Sequence, residues 1–365
     1  MTLAGALLVC GLTVAAQSPD SFEQLSRQAA AARDANRTDE AIRLYRAALE
    51  ARPEWNEGLW YLGTLFYERA DYEEARDTLR RFVAGDADAG PGWVVLGLSE
   101  FQTHEYARAL PHLERGAAAG LGDRSDMKWS ARYFSAILLT RFEHFDESMQ
   151  LLVSAPSAVP RDTRFLEALG TAALRMPLLP GEVPTDRREM VQLAGEAASA
   201  LAAHDDAGTE AVLKRLAAAY PNEPGVHFLH GMILMKSAPE AGIAEMRREL
   251  AITPDHVPAR IQLAAEYTRE GRPDDALPPA REAVELEPEA FDSHLALGQA
   301  LVAKGDLTGG IGELEKARDL APRISQIRWA LCRAYFAAGR QADGQRESAE
   351  MERLRDEERK AAANR

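Results

Sequence analysis

The chain has 365 residues, 46% hydrophobic but only 7% aromatic, and 43 basic against 57 acidic side chains leave a net charge of −14. So acidic a surface repels phosphate on average, which excludes a general nucleic-acid binder and disfavours an anionic membrane surface. Two cysteines, Cys10 and Cys332, exclude a disulfide framework and a multi-cysteine zinc site.

Residues 1–16, MTLAGALLVCGLTVAA, carry no charge, and a polar stretch begins at Gln17. Leu3–Ala16 is too short to span a bilayer but has the length of a signal-peptide core, and Val14, Ala15 and Ala16 set small residues where a signal peptidase cleaves. No basic residue precedes that core, a departure from the usual pattern. The expectation is a signal peptide over 1–16, a stub over 17–21, and a periplasmic or extracellular chain without a membrane-inserted segment; a cytoplasmic address is the alternative. Cys10 follows Leu-Leu-Val instead of a small residue, so lipidation is not expected.

From residue 22 the sequence repeats at a step of 34, with units beginning near 22, 56, 90, 129, 190, 224, 257, 291 and 325. Numbering slots from each unit's first residue, slot eight reads Ala29, Gly63, Gly97, Ala136, Ala197, Gly231, Ala264, Gly298 and Cys332, all small. Slot twenty reads Ala41, Ala75, Ala109, Ser148, Thr209, Ile243, Ala276, Gly310 and Gly344, small in all but one. Larger apolar residues recur at slots four, seven and eleven, as in Leu59, Leu62, Phe66, Trp93, Leu96, Leu263 and Tyr267. Spacings of three and four put each set on one helical stripe. Each unit therefore reads as two antiparallel helices that touch at small residues, with a greasy face it cannot bury alone. Pro111, Pro278 and Pro279 fall inside second helices, which are expected to start late or kink there.

One stretch breaks the period. Residues 163–176 read as a first helix, but PLLPGEVPTDRRE (177–189) brings three prolines where a second helix belongs, and Thr185 or Asp186 can cap the next helix. The expected division is an N-terminal block of four repeats (22–162), an irregular half-repeat and Pro-rich linker (163–189), a C-terminal block of five repeats (190–358) and a charged tail (359–365). The linker reads as a tolerated insertion, or as a hinge or partner-binding loop.

Catalytic and nucleotide-binding motifs are absent from the sequence. Gly309, Gly310 and Gly312 lie within a repeat and read as packing. His227 and His230 occupy slots four and seven, where other units hold apolar residues, and read as core histidines, since two ligands without a third make a poor metal site. Cys332, at slot eight, reads as a buried small residue. Neither a cofactor nor a metal is expected.

The pattern Leu59/Leu62/Gly63/Phe66/Ala75/Leu79, Trp93/Leu96/Gly97/Ala109/Leu113 and Leu297/Gly298/Leu301/Leu314/Ala317/Pro322 resembles the tetratricopeptide repeat family. That resemblance implies an all-α, right-handed superhelix of αα-hairpins, about nine repeats interrupted near 177–189. It also implies a non-enzymatic scaffold that binds a protein or peptide partner in a concave groove. Arg132 and Ser135 depart from the pattern. One subgroup of the family clamps a peptide carboxylate with Lys, Asn and Arg; the matching slots here hold Ser26, Ala30, Trp60 and Thr64, so that clamp is not implied. Slots two, five, nine, twelve and thirteen of the first helices should face the groove. They supply Trp60, Tyr67, Phe101, Tyr133, Phe228, Met232, Trp329 and Phe336, with Arg141, Lys236, Arg269 and Arg333, the residue types that dominate binding hot spots. Slots five and twelve have a competing use, packing against the next repeat. Two further readings stay open: a cell-envelope or secretion-complex assembly factor, and a regulatory or substrate-presenting arm of a separately encoded enzyme.

Overall fold

A computed structural model describes residues 21–156 and 159–363. Residues 1–16, which carry the export expectation, lie outside the described residues, as does Cys10. Helices alone make up the regular structure of the described residues. They divide into two compact units, one ending at Ala131 and one beginning at Arg132. In the first, α1 (Phe22–Asp34) pairs with α2 (Thr38–Ala51), α3 (Asn56–Glu68) with α4 (Tyr72–Gly85), and α5 (Gly90–Gln102) with α6 (Tyr106–Ala119). α7 (Ser125–Arg141) runs across the boundary. The second unit continues with α8 (Phe145–Val153), α9 (Thr163–Ala173) and α10 (Arg188–Ala202). There follow α11 (Asp206–Ala219), α12 (Val226–Ser237), α13 (Pro239–Ile252), α14 (Val257–Arg269) and α15 (Pro273–Leu286). α16 (Phe291–Lys304), α17 (Leu307–Leu320), α18 (Ser325–Ala337) and α19 (Gln341–Ala363) complete it. Within each unit, hairpin packed on hairpin makes an all-α solenoid. No described helix is long and apolar enough to cross a membrane.

Small residues set the contact within each hairpin. A Cβ on Gly63 would lie 2.7 Å from Leu79 Cγ, one on Gly97 2.8 Å from Leu113 Cγ, and one on Gly298 2.7 Å from Leu314 Cγ. Leu79, Leu113 and Leu314 fill that space at interior packing density, so a methyl there must displace one of them. The glycines at 309–312 separate under the same test. Gly310 faces the backbone carbonyl of Gly298, Gly309 faces its own cap Asp306, and Gly312 meets nothing within 4 Å. Only Gly310 is a packing requirement at the interhelix contact. Pro111, Pro278 and Pro279 lie inside α6 and α15, which begin at Tyr106 and Pro273, so neither starts late as expected.

The turn between paired helices repeats as strictly as the core. Slot fifteen is left-handed in Asn36, Ala70, His104, Glu143, His204, Gly271, Gly305 and Gly339. The next residue's N–H bonds back across the turn, as in Asp71 to Phe66 O (2.9 Å) and Arg340 to Tyr335 O (2.8 Å), the Schellman closure of a helix end. Between α12 and α13 one residue is missing, and only Ala238 joins the helices, with φ −145°. Where the left-handed residue carries a Cβ it is strained by roughly 1–2 kcal/mol. Ala70, with φ 63°, is exposed. Ala70→Gly is therefore expected to raise stability by about 0.5–1 kcal/mol, net of the extra freedom glycine has when unfolded. A urea midpoint that does not rise would refute this.

The interruption is a hairpin of a different kind. α9 and α10 pack directly on each other, so 174–187 connects two touching helices. A Cβ on Gly170 would lie 1.9 Å from Val191 O, and one on Gly195 2.1 Å from Leu166 O. Both helices are buried on almost every face. Leu179 and Val183 of the connection are buried too, and Gly181 N–H donates to Glu167 Oε2 at 3.2 Å. Thr185–Arg187 form a single 3₁₀ turn that runs into α10 without a side-chain cap, unlike the expected capping by Thr185 or Asp186.

Candidate binding surface

Slot four holds a hydrogen-bonding clasp that the apolar reading of that position missed. Trp93 Nε1 donates to Ala87 O (2.9 Å), His227 Nε2 to Pro221 O (2.9 Å), His294 Nε2 to Pro288 O (2.8 Å) and Arg328 Nε to Pro322 O (2.9 Å). Every acceptor lies six residues upstream, past the end of the preceding second helix. On the other side a carboxylate from the paired helix closes three of them: Glu245 on His227 Nδ1 (2.5 Å), Glu313 on His294 Nδ1 (2.6 Å) and Glu347 on Arg328 Nη1 (2.7 Å). Each histidine meets an acceptor at both ring nitrogens, the surroundings a guanidinium has at 328. Burial pushes the Glu313 carboxyl up, but hydrogen bonds from Lys316 and His294 outweigh it and hold it below the usual range. The sequence signal was present: a polar residue at slot four, with proline six residues before it in three cases.

His227 and His230 are core histidines, as expected. Both His227 nitrogens are engaged; His230 Nδ1 is buried without a hydrogen-bond partner, 3.8 Å from Glu245 Oε2. Among the described residues no three His, Cys, Asp or Glu side chains gather as a metal would require. Cys332 is half-buried, and burial pushes its thiol up.

His256 does something a core residue would not. Its Nδ1 accepts the Ala259 N–H (3.1 Å) and so caps α14, while the ring packs on Phe228, centroids 4.7 Å apart. Burial lowers its pKa; Glu249 and Asp255 oppose that shift, and Arg175 adds to it. The ordinary value near 6.5 belongs to the unfolded chain, so as pH falls through it the unfolded chain takes up a proton that the cap refuses. This residue's share of stability is present above that pH and lost below it. His256→Asn keeps a cap acceptor that does not titrate. Its stability should fall less than the wild type's between about pH 7.5 and pH 5.5. Parallel falls in urea denaturation would contradict the assignment.

The residues expected along the groove have unlike fates. In the first unit, Trp60 leans on Phe82 (centroids 5.4 Å) beside a shallow cavity of about 300 Å³ that Glu57, Pro91 and Arg124 also line. Tyr67 packs on Tyr72 and Phe101 on Tyr106, and Trp60, Tyr67 and Phe101 are all half-buried. In the second unit, Phe228 is 7% exposed, a correction to its place among the groove residues: slot five there packs into the core with Ile243, Leu263 and Tyr267. Tyr133 is half-buried against Phe134, and burial pushes its hydroxyl up to about 12. Arg141 donates to Pro177 O (3.0 Å), which ties it to the Pro-rich connection. Met232 packs at the edge of the core, and Arg269 bonds Glu266 through Nε (2.9 Å).

Lys236, Trp329, Arg333 and Phe336 remain exposed. Arg333 lies over the Trp329 ring, 4.7 Å from its centroid. Among the described residues, no carboxylate pairs with Lys236 or Arg333. By contrast, the cleft between α17 and α19 is lined by Arg318, Arg328 and Arg340, already paired with Glu347 and Asp343. Residues that sequence reasoning did not single out hold the framework: Arg175, with left-handed φ 54°, lies 4.9 Å from the Phe145 ring and 3.4 Å from Asp146.

The pattern that defines the tetratricopeptide repeat matches residues 26–92 and 261–323. No curated protein matches the sequence. Solved structures of MamA are similar to part of the chain. MamA from residue 41 onward of Desulfovibrio magneticus RS-1 has 18% identity and a TM-score of 0.42, over 46% of this chain and 96% of that one. A double mutant, MamA RS-1 ArsTM, gives 18% and 0.42 over 47% and 96%. A further MamA crystal structure gives 16% and 0.41 over 45% and 96%.

Proposed function

We propose that this chain, which carries tetratricopeptide repeats, is a non-catalytic scaffold that holds a segment of a protein partner on the first-helix face of its second unit. The observation that supports this is the contrast in pairing. Along the first helices, Lys236, Trp329, Arg333 and Phe336 stand exposed, while the arginines of the α17–α19 cleft already have carboxylates. Aromatic and arginine side chains contribute most of the energy at protein interfaces, and unpaired cations on a chain of net charge −14 suit a partner segment with carboxylates among apolar residues.

A photo-crosslinking residue placed at Lys236 or Trp329, and separately at the exposed second-helix position Arg281, tests the reading in cells of the source organism. A discrete adduct from the first-helix positions alone is expected. Equal adducts from Arg281 would overturn it. Export is part of the same proposal and rests on the uncharged run Leu3–Ala16. Mass spectrometry of fractionated cells should find the protein outside the cytoplasm with an N-terminus near Gln17, and recovery in the cytoplasm alone with an intact Met1 would remove this part.

A further inference from the structure

α18 is the last first helix among the described residues, and its two faces differ. One stripe, Ile327, Ala330, Leu331 and Ala334, packs in a cluster with Leu295 of α16 and with Ile311 and Leu314 of α17. The opposite stripe carries Trp329, Arg333 and Phe336 at i, i+4 and i+7, one helical face. Slot five is 7% exposed at Phe228 and at Leu295, which α18 covers, but 47% at Trp329; Phe336 is 40% exposed. Among the described residues, α18 thus leaves uncovered at slot five what a neighbouring first helix covers at Leu295, while the Phe336 ring leans on α19, where a Gly344 Cβ would lie 2.8 Å away.

We propose that this face receives an amphipathic helix of a protein partner, seated where a following first helix would lie; the proposal rests on the scaffold reading above. Continuity carries it. α16 packs on α14 and α18 on α16 through the same slots, so an arriving helix meets a geometry already used twice. The guest needs a stripe of small and apolar residues spaced like Ile327, Ala330, Leu331 and Ala334, and a carboxylate for Arg333. A second copy of this chain does not supply it. The equivalent stripe of α1 is Gln24, Arg27, Gln28 and Ala31, all exposed, and it would bring Arg27 against Arg333.

The probe is a dye-labelled, stapled helix of about 15 residues with that apolar stripe and a Glu set to face Arg333. Its binding to the full chain is followed by fluorescence anisotropy. Saturable binding is expected, weakened about tenfold or more by Trp329→Ala and by Phe336→Ala. Arg333→Glu should weaken it as well, and a peptide with Lys in place of the Glu should recover the loss. Circular dichroism checks that the variants fold. No saturable binding, or equal binding to all variants, overturns the proposal. So does a dimer of the full chain that Trp329→Ala dissolves in sedimentation, since the face would then belong to a second copy. If the helix fails to bind the wild-type chain while crosslinks form from position 236, this inference falls and the scaffold reading stands; absence of those adducts removes the scaffold reading itself.

Discussion

Gly170→Ala is expected to destabilise the second unit by about 2–4 kcal/mol, more than any single alanine introduced on its surface. The added Cβ would lie 1.9 Å from Val191 O and 2.8 Å from Val191 C, atoms of the backbone that no rotamer change can move away. Relief requires α9 and α10 to move apart at their closest point. Gly195 marks the same close approach from the other helix, since its missing side chain lets the Leu166 carbonyl come to 2.1 Å of where a Cβ would be. Separation would also loosen Phe165, Leu169, Leu193 and Ala194, each nearly free of solvent contact. Gly312→Ala is the control, because nothing lies within 4 Å of its Cβ and alanine favours a helix interior by about 1 kcal/mol. Urea unfolding of both variants decides the matter, and a neutral Gly170→Ala would mean that α9 and α10 do not cross as described.

Glu249→Ala should cost about 3 kcal/mol, because it strips the cap from a helix that has none of its own. α12 begins after Gly225, which offers no side chain. Glu249, fully buried on α13, accepts the Gly225 N–H at Oε1 (2.8 Å) and the Phe228 N–H at Oε2 (3.1 Å). Truncation leaves both buried donors without this acceptor, each worth roughly 1–3 kcal/mol when unpaired. Glu249→Gln retains one acceptor and is expected to lie between. The exposed Glu289→Ala sets the baseline. Hydrogen exchange at Gly225 and Phe228 supplies a second reading: their amides should lose protection in Glu249→Ala, and unchanged protection would show that another group caps α12.

Legibility differed sharply from slot to slot. The small residues at slots eight and twenty declared the hairpin contact, because close approach of two helices leaves few residue types admissible. Turn residues were half legible. Gly271, Gly305 and Gly339 announce a left-handed end, but Ala70, His104 and Glu143 adopt the same conformation under the pull of the closed hairpin. The groove residues were least legible, since Phe228 and Trp329 share slot five and end at 7% and 47% exposure.

Local periodicity, then, already determined from the amino acids alone that paired helices would repeat, where they would touch and where the period would break. Which side chains stay exposed was decided only in three dimensions, because exposure depends on whether another helix packs on top. The same holds for the contact of α9 with α10 and for the caps and clasps that Glu249, Glu245 and Glu313 provide. Those depend on distances between helices, which a spacing along the chain does not contain.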